Sequence, residues 1–328
     1  MACEKMKRCA GNCFIQPDNQ GLFCHGKMSR LVELKDRGGA TMSVNQYEDC
    51  FFYRGSLPIP FDEHMRRVKE MKLTSDDVLL CSYPKSGTHS LWEVVSSIVH
   101  GDLKSKESVS DVDMLDFTSM KLLDRTPTPR ILGCHFRFRF LPNEVLTKKP
   151  KVIYLQRNPK SVAVSYYTMT YGMTTVRSYE GHVPVKQYDG TWDDYLESFL
   201  EGEVEYGSWF DHVLDWEQAR LDNPELSIFL LQYEDMKKDL VACIGRVAKF
   251  LGKQMTPERA KSIAEACTFH NLKKRDHNED TKTKDIAWRE GTGVFRKGIT
   301  TDWKNWFTVA QSEQFDNVYA EKRRQDCH

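Results

Sequence analysis

A short turn in the sequence carries the residue types that hold anions. It lies in CSYPKSGTHSLWEVV, residues 81–95, between an apolar run and a run with helical spacing. Backbone amides at a helix N-terminus and the positive end of the helix dipole both favour an anion. The turn itself reads Lys85, Ser86, Gly87 and Thr88. Its glycine permits close approach, its hydroxyls donate, and its lysine adds a mobile positive charge, so the pattern predicts an anion-binding turn.

The order of residues in the turn excludes one familiar loop. In the Walker A pattern G-x-x-x-x-G-K-[ST] the lysine follows the glycine, whereas Lys85 precedes Gly87. An ATP-dependent kinase would also need metal-binding carboxylates in motif context, and the sequence has none. An ordinary strand–helix connection with a solvent-facing lysine would read the same. On the turn alone, both interpretations stay open.

Two later stretches contain residues that could act as a general base or bind phosphate. His135 ends the apolar run RILGCHF, and an imidazole with a pKa of about 6.5 suits a general base. Arg157 follows KVIYLQ, and Ser165 lies eight residues later in a run with helical spacing. A guanidinium can hold phosphate oxygens bidentately, which favours a second anion site. A lone histidine at a strand end is more often structural, so its role depends on context.

The elements that must position these residues alternate along the chain. Strand-like apolar runs lie at 77–83, 130–136, 151–156 and 226–233. Helical runs lie at 62–71, 90–101, 159–172, 193–222, 235–252, 256–267 and 309–322. This alternation predicts an α/β domain with a central parallel sheet flanked by helices. Residues 1–45 read as a polar, extended or partly disordered leader before a domain at 46–328, and 272–302 as a long functional loop.

Composition narrows the classes of protein. The 328 residues include 47 basic and 47 acidic side chains, so the net charge is zero. A nucleic-acid-binding domain usually has a net positive charge, and we therefore expect no nucleic acid as a partner. No stretch of about 18 uninterrupted apolar residues predicts a membrane span, and the charged N-terminus does not resemble a secretory signal. We expect a cytoplasmic protein with reduced thiols.

The N-terminal cysteines raise a separate possibility. Cys3, Cys9, Cys13, Cys24 and His25 are close in sequence and could hold zinc. Their spacings match no metal-ligand pattern, so we expect no metal site there.

The anion-binding turn resembles the phosphosulfate loop of the cytosolic sulfotransferases, Y-P-K-S-G-T-[TS]-W. Similar family segments follow in the same order at 152–167, 206–216, 230–240 and 295–308. The resemblance runs from about Tyr53 to Glu321. It implies transfer of a sulfuryl group from 3′-phosphoadenosine 5′-phosphosulfate (PAPS) to a hydroxyl or amine, with adenosine 3′,5′-bisphosphate as product and without a metal.

The resemblance also implies a role for each matched residue. Lys85 would neutralise charge on the leaving phosphate and His135 would be the catalytic base. The cofactor-binding positions would be Lys85, Ser86, Gly87, Thr88, His89, Ser90, Arg157, Ser165, Tyr233, Phe269, Arg296, Lys297 and Gly298.

Three positions depart from the family pattern. Ser90 replaces a tryptophan that stacks on adenine, Gly133 replaces a lysine two residues before the catalytic histidine, and Cys267 replaces a threonine. Trp92 cannot restore the missing ring, because two residues further along a helix the side chain points in another direction. These losses leave an alternative open: a weakly active or inactive relative that binds nucleotide or a partner.

The acceptor and the assembly are less readable. Aromatic and methionine side chains suggest a small, apolar or aromatic acceptor, and the predicted pocket residues are Phe61, Phe136, Phe138 and Met169. The segment 173–192 is longer than in common members and would reshape the entrance. The segment Lys304 to Glu313, with Thr308 and Val309, matches K-x-x-x-T-V-x-x-x-E, through which many family members pair as homodimers.

Overall fold

A computed structural model gives the arrangement of most of the chain. It describes residues 28–54, 57, 59–101, 113–178, 181–184, 188–278, 286–289 and 297–325. The strands among them are β1 (Arg30–Lys35), β2 (Thr41–Tyr47), β3 (Cys50–Tyr53), β4 (Val78–Ser82), β5 (Ile131–Cys134), β6 (Lys151–Gln156), β7 (Met173–Ser178), β8 (Gly181–Pro184), β9 (Ile228–Gln232) and β10 (Ile286–Trp288).

The helices of the described residues fill the intervals between the strands. They are α1 (Phe61–Glu70), α2 (Thr88–His100), α3 (Met120–Leu123), α4 (Val145–Lys148), α5 (Pro159–Gly172), α6 (Trp192–Glu201), α7 (Trp209–Asp222), α8 (Tyr233–Lys238), α9 (Leu240–Leu251), α10 (Pro257–Ala266), α11 (Phe269–Asn278) and α12 (Val309–Gln325). Short 3-10 turns lie at Phe138–Phe140 and Asp302–Asn305.

A parallel four-stranded sheet forms the centre, in the order β5-β4-β6-β9. The sequence predicted this sheet, and the prediction is confirmed. Strands β4 and β5 are buried along their whole length, as expected for a sheet with helices on both faces. Apolar side chains of α2, α9 and α10 form the core on one face, and those of α1, α5, α6 and α7 on the other.

The predicted helices differ from the observed ones mainly at two breaks. The run 193–222 divides into α6 and α7 because Gly202 ends α6 with a φ of 80°. The run 235–252 divides at Asp239, whose extended backbone ends α8 while its side chain accepts a hydrogen bond from Ala242 N and caps α9. Local capping residues therefore overrode the longer helical period.

Residues 30–45 of the predicted extended or partly disordered leader form regular strands. Strands β1, β2 and β3 form an antiparallel sheet there, and a boundary at residue 45 would cut β2. Its buried face includes Val44 and Phe52, which join the core. Residues 1–27, with the cysteines considered as zinc ligands, lie outside the described residues.

Part of the predicted loop 272–302 is also regular. Helix α11 covers its beginning, and β10 pairs with β7 in a second antiparallel sheet of order β10-β7-β8. The long segment 173–192 therefore contains a hairpin, β7 and β8, rather than an irregular insertion. Among the described helices, none combines the length and apolar character required to cross a bilayer.

A buried ion pair joins the starts of β4 and β5. Arg130 NH2 lies 2.6 Å from Asp77 Oδ2, and Arg130 Nε donates to Asp77 Oδ1 at 3.1 Å. Burial alone would raise the pKa of Asp77, but hydrogen bonds from Arg130 and Thr74 N outweigh it and lower the pKa. The stabilisation is therefore present at neutral pH and is lost as the pH falls through the lowered pKa.

Arg130→Met should destabilise the protein by about 3–5 kcal/mol, because it leaves the Asp77 carboxylate buried and unpaired. Urea unfolding at pH 7 measures this loss. Arg66→Met is the matched control, because Arg66 pairs with Glu70 on the exposed side of α1 at 2.8 Å. The control should cost no more than about 1 kcal/mol. Equal losses in both variants would contradict the role given to the buried pair.

Candidate active site

The predicted anion turn lies at the carboxyl end of β4, where α2 begins. Lys85 and Gly87 both have positive φ, 64° and 106°, so the chain reverses sharply before the first turn of the helix. Ser82 and Thr88 hydroxyls are 2.6 Å apart and tie the two ends of the turn together. Arg157 NH1 donates to the Lys85 carbonyl at 2.8 Å. This bond joins the turn to the end of β6.

The turn contains a buried hydroxyl that suits an anion. Ser86 Oγ is fully buried and has no hydrogen-bond partner among the described residues. A buried polar group without a partner is costly, and a ligand that accepts its hydrogen bond removes that cost. Together with the amides at the start of α2, the hydroxyl fits a phosphate or sulfate oxygen.

Two glycines make room for aromatic rings beside the turn. A Cβ on Gly87 would lie 2.6 Å from the Tyr233 ring, and a Cβ on Gly298, at φ 67°, would lie 2.5 Å from the Phe269 ring. Lys237 Nζ lies 5.5 Å from the centre of the Tyr233 ring and 5.2 Å from that of Phe269. The structure therefore places Tyr233 and Phe269, two predicted cofactor-binding residues, around the same ammonium group.

The guanidinium of Arg157 completes this group. It lies 4.6 Å from the centre of the Tyr233 ring, and Arg157 is buried. Lys237 was not singled out from the sequence, because a lysine in a charged helix reads as a solvated side chain. Burial and the neighbouring Arg157 charge lower the pKa of Lys237. Cations gathered in this way favour an anionic ligand.

The second predicted anion site lies at the start of α5. Asn158 Oδ1 accepts from Ser161 N and caps the helix, and Pro159 occupies its first position. Ser165 lies further along α5 and is buried. Ser161 Oγ donates to Thr300 O at 2.8 Å, which brings the 297–300 segment to this helix start.

The C-terminal residues of the predicted site differ in what the structure shows. Lys297 Nζ lies 2.9 Å from Asp302 Oδ1, so a buried carboxylate holds this cation. Gly298 lies against Phe269, as described above. Arg296 lies outside the described residues.

A buried lysine connects α5 with the C-terminal helix. Lys160 Nζ lies 2.8 Å from Asp316 Oδ2 and donates to Ser312 Oγ at 2.7 Å. The ammonium is also 4.9 Å from the centre of the Trp303 ring. These contacts fix α12 and the preceding 3-10 turn against the helix that begins at the second anion site.

His135 follows β5, beside the anion turn. Its Nδ1 is 2.9 Å from the Ser82 carbonyl oxygen, which can only accept, so Nδ1 carries the hydrogen. This tautomer leaves the Nε2 lone pair available to take up a proton. His212 Nε2 donates to the His135 carbonyl at 3.2 Å, and Tyr154 OH lies 3.1 Å from His212 Nδ1.

Electrostatics keep the His135 imidazole neutral. Burial lowers the pKa of His135 to about 4, with the Ser82 carbonyl acting in the opposite direction and the Lys85 ammonium adding to the lowering. The imidazole is therefore deprotonated at neutral pH and able to act as a base.

A second imidazole lies in the same region. Burial, Lys85 and His135 together lower the pKa of His89 to about 3. His89 and Ser90 are half-buried in the first turn of α2. Trp92 points elsewhere: it is buried and its Nε1 donates to Ile131 O at 3.2 Å, as the sequence argument expected.

The predicted pocket residues are more dispersed than the nucleotide-site residues. Phe61 and Phe136 are buried around Phe52, with ring centres 5.0 and 5.8 Å from it. Phe138 packs edge-on against Trp216 at 5.5 Å. Met169 lies on α5, half-buried against the same core. The structure thus brings Phe61 and Phe136 together and places Phe138 against α7.

Gly133 and Cys267, two of the family departures, have clear surroundings. Gly133 N donates to Asp113 O and Gly133 O accepts from Leu115 N, both at 2.8 Å. The segment after Asp113 therefore runs beside β5 and brings Asp116 next to His135. Asp116 was not predicted from the sequence. Cys267 is buried at the end of α10. Among the described residues, no cluster of three or more potential metal ligands occurs.

Gly87→Ala should weaken binding of adenosine 3′,5′-bisphosphate by about tenfold or more, roughly 1.4 kcal/mol. The added Cβ would collide with the Tyr233 ring at a φ of 106°. Isothermal titration calorimetry measures the affinity. Gly245→Ala is the matched control, because a Cβ there, inside α9, meets nothing within 4 Å. It should leave affinity unchanged and stabilise the helix by about 0.5–1 kcal/mol. Unchanged affinity in Gly87→Ala would argue against nucleotide binding at the turn.

Comparison with known proteins identifies the class and then the family. A parallel α/β sheet with a glycine-containing turn and a histidine at its carboxyl edge is an arrangement typical of ligand-binding α/β enzymes, because ligands of open α/β sheets bind at the carboxyl ends of the strands. The sulfotransferase domain family matches residues 75–326. Sulfotransferase 1A1 of Rattus norvegicus is 36% identical over 278 residues, covering 81% of this chain and 91% of the relative. Sulfotransferase 2A1 of Homo sapiens is 33% identical, covering 79% and 89%. The chain belongs to the sulfotransferase family.

Solved structures agree with this assignment. The mouse sulfotransferase SULT7A1 complexed with PAP is 32% identical, with a TM-score of 0.66, and the match covers 86% of this chain and 95% of that one. Retinol dehydratase in complex with androsterone and inactive cofactor PAP has a TM-score of 0.69 at 21% identity, covering 89% of each chain, and shows the shared fold. The enzyme is a PAPS-dependent sulfotransferase, and a purely nucleotide-binding relative is not favoured.

Proposed function

We propose that the chain transfers the sulfuryl group of PAPS to a hydroxyl or amine of a small acceptor by in-line displacement, with His135 as general base and Lys85 as the cation at the leaving phosphate. One observation carries the proposal: the Ser82 carbonyl fixes the His135 tautomer beside the turn that holds Lys85. The parallel pairing of β4 and β5 supports the proposal, because it brings the turn after β4 and His135 after β5 to the same edge of the sheet.

The nucleotide-binding part of the proposal is supported by the fit of the site. Ser86 Oγ needs an acceptor, and the amides of the turn and Arg157 supply complementary charge. The rings of Tyr233 and Phe269 would hold the base, with Gly87 and Gly298 allowing their approach. Ser165 and Lys297 would lie along the 3′-phosphate, and Lys297 would exchange or share its contact with Asp302.

The chemistry needs two tasks from the protein. When bound, the nucleotide supplies the sulfuryl group and accumulates negative charge on its bridging phosphate oxygen. The Lys85 ammonium would stabilise that charge, and a preorganised group of this kind is worth about 3–4 kcal/mol in other enzymes. His135 Nε2 would take up the hydroxyl proton of the acceptor molecule, while Nδ1–H remains hydrogen-bonded to the Ser82 carbonyl oxygen. Because the imidazole starts neutral, no prior deprotonation is needed.

The acceptor we propose is apolar or aromatic. The Tyr206 ring lies edge-on to the His135 imidazole, with centres 5.5 Å apart. Tyr53 and Phe117 make another edge contact at 6.4 Å, and Tyr53 OH donates to Met173 Sδ at 3.3 Å. Aromatic and thioether groups of this kind favour a flat apolar molecule that presents one hydroxyl.

His135→Asn should lower turnover by about 10²–10⁴-fold and leave nucleotide affinity nearly unchanged, because the amide cannot accept the acceptor's proton. Transfer of radiolabelled sulfate from PAPS to a panel of phenols, steroids and alcohols measures turnover. Calorimetry with adenosine 3′,5′-bisphosphate is the control for the binding site. An unchanged kcat in His135→Asn would rule out the base role. Absence of product from the unaltered enzyme with every acceptor, despite nucleotide binding, would favour the inactive alternative.

We also propose that two chains pair through the Lys304 to Glu313 segment. Val309 is 75% exposed, and Lys304, Thr308 and Glu313 are exposed as well. A two-fold contact of this segment with its copy would cover Val309 and bring Lys304 of one chain near Glu313 of the other.

Val309→Glu should convert the dimer to a monomer, because it places a charge at the centre of the proposed contact, and light scattering measures the mass. Leu221→Glu is the control, since Leu221 is another apolar side chain, 74% exposed, on α7. The control should remain dimeric. A monomeric unaltered protein, or dimers in both variants, would contradict this interface.

A cytoplasmic location completes the proposal. The cysteines that the structure describes are free thiols: Cys50, Cys81, Cys134, Cys243 and Cys267. Free buried thiols suit a reducing compartment.

A further inference from the structure

A buried carboxylate holds the backbone of the proposed base. His135 N is 3.1 Å from Asp116 Oδ1 and 3.0 Å from Asp116 Oδ2, and Asp116 is 4% exposed. Its position follows from the pairing of Gly133 with residues 113–115. His64 reinforces that segment, since its Nε2 lies 2.7 Å from Leu115 O. A buried carboxylate is costly unless it has hydrogen-bond donors, so this arrangement needs its partners.

A tyrosine joins the carboxylate to the imidazole. The Tyr206 hydroxyl lies close enough to Asp116 to lower the pKa of that carboxyl, and the Tyr206 ring meets the His135 ring at an interplanar angle of 82°. Edge-to-face ring pairs of this kind have a preferred geometry that holds the two rings in one mutual orientation. The same side chain therefore contacts both the ring of the base and the group that holds its backbone.

The backbone of Tyr206 is held in an unfavourable conformation. Its φ is 64°, a left-handed value that is rare for a bulky residue and energetically unfavourable. Tyr206 N donates to Phe51 O at 3.0 Å, and Gly207 continues the left-handed turn at φ 68°. Strain of this kind persists where surrounding contacts require one orientation, and here the required orientation is that of the ring and hydroxyl.

We propose that Asp116 and Tyr206 are positioning residues that hold the His135 imidazole in the orientation that presents Nε2 to the acceptor. The inference rests on the proposed role of His135 as the base. Ser82 fixes one nitrogen of the ring, Tyr206 blocks rotation of the ring edge, and Asp116 fixes the backbone from which the ring extends. Burial raises the pKa of Asp116 to about 7, as expected for a carboxyl enclosed by these groups.

The chain contains a matched pair for a control. Tyr166 OH donates to Glu205 Oε2 at 3.2 Å, and burial raises the pKa of Glu205 to about 7. Tyr166 is a buried core aromatic at 1% exposure, and its ring contacts that of Tyr83. Removing the contact between Tyr166 and Glu205 therefore tests whether the loss of any buried tyrosine–carboxylate contact lowers activity by loosening the core.

The test compares Tyr206→Phe, Tyr206→Leu and Asp116→Asn with Tyr166→Phe. We expect kcat to fall about fivefold in Tyr206→Phe, which keeps the ring, and about 10- to 100-fold in Tyr206→Leu and Asp116→Asn. Nucleotide affinity and the acceptor KM should stay within twofold, because the base orientation is used only in the chemical step. Tyr166→Phe should leave kcat within twofold.

A spectroscopic measurement separates this inference from the proposed function. With ¹⁵N-labelled histidine, the His135 ring nitrogens in the unaltered protein should report a single tautomer with hydrogen on Nδ1. The Tyr206→Leu spectrum should show a mixture of tautomers. Retention of the single tautomer and of kcat in Tyr206→Leu and Asp116→Asn would overturn the positioning role, as would an equal loss in Tyr166→Phe. An active His135→Asn would overturn the base role, whatever the tautomers show.

Discussion

The hydrogen bond between His135 Nδ1 and the Ser82 carbonyl is the contact on which the site depends. It exists because β4 and β5 are parallel neighbours in register, with Cys81 opposite Cys134, so that the next residue of each strand reaches the same edge. Parallel pairing places every functional turn of the sheet at this edge. The sheet thus determines both the tautomer of the imidazole and its distance from the anion turn.

Much of the fold could be predicted from the sequence, because parallel strands buried on both faces are uninterrupted apolar runs. Strand β1 could not, since its residues RLVELK alternate with charges and are mostly exposed. The breaks at Gly202 and Asp239 depend on single capping residues inside a longer helical period. Strands β7 (MTTVRS) and β8 (GHVP) could not be predicted either, because their mostly polar residues form no uninterrupted apolar run.

The candidate site divides in the same way. The positions of Lys85 and Arg157 at the ends of strands could be predicted, because each residue lies just after an apolar strand-like run in the sequence. Asp116 could not, because it reaches His135 through tertiary pairing with β5. Tyr206 is part of a segment that resembles the family, but its contact with the imidazole depends on a left-handed backbone that no residue pattern specifies.

The contacts of Lys160 have a consequence for the end of the chain. A cation that is 8% exposed is tolerable inside a protein only with nearby acceptors, and Asp316 and Ser312 of α12 provide them. Removing α12 would remove the counterion of this ammonium, in the first turn of α5, and leave it next to the Trp303 ring. Helix α12 is therefore a structural support of α5, and a truncation that removes Ser312 and Asp316 would leave the Lys160 ammonium buried without these partners.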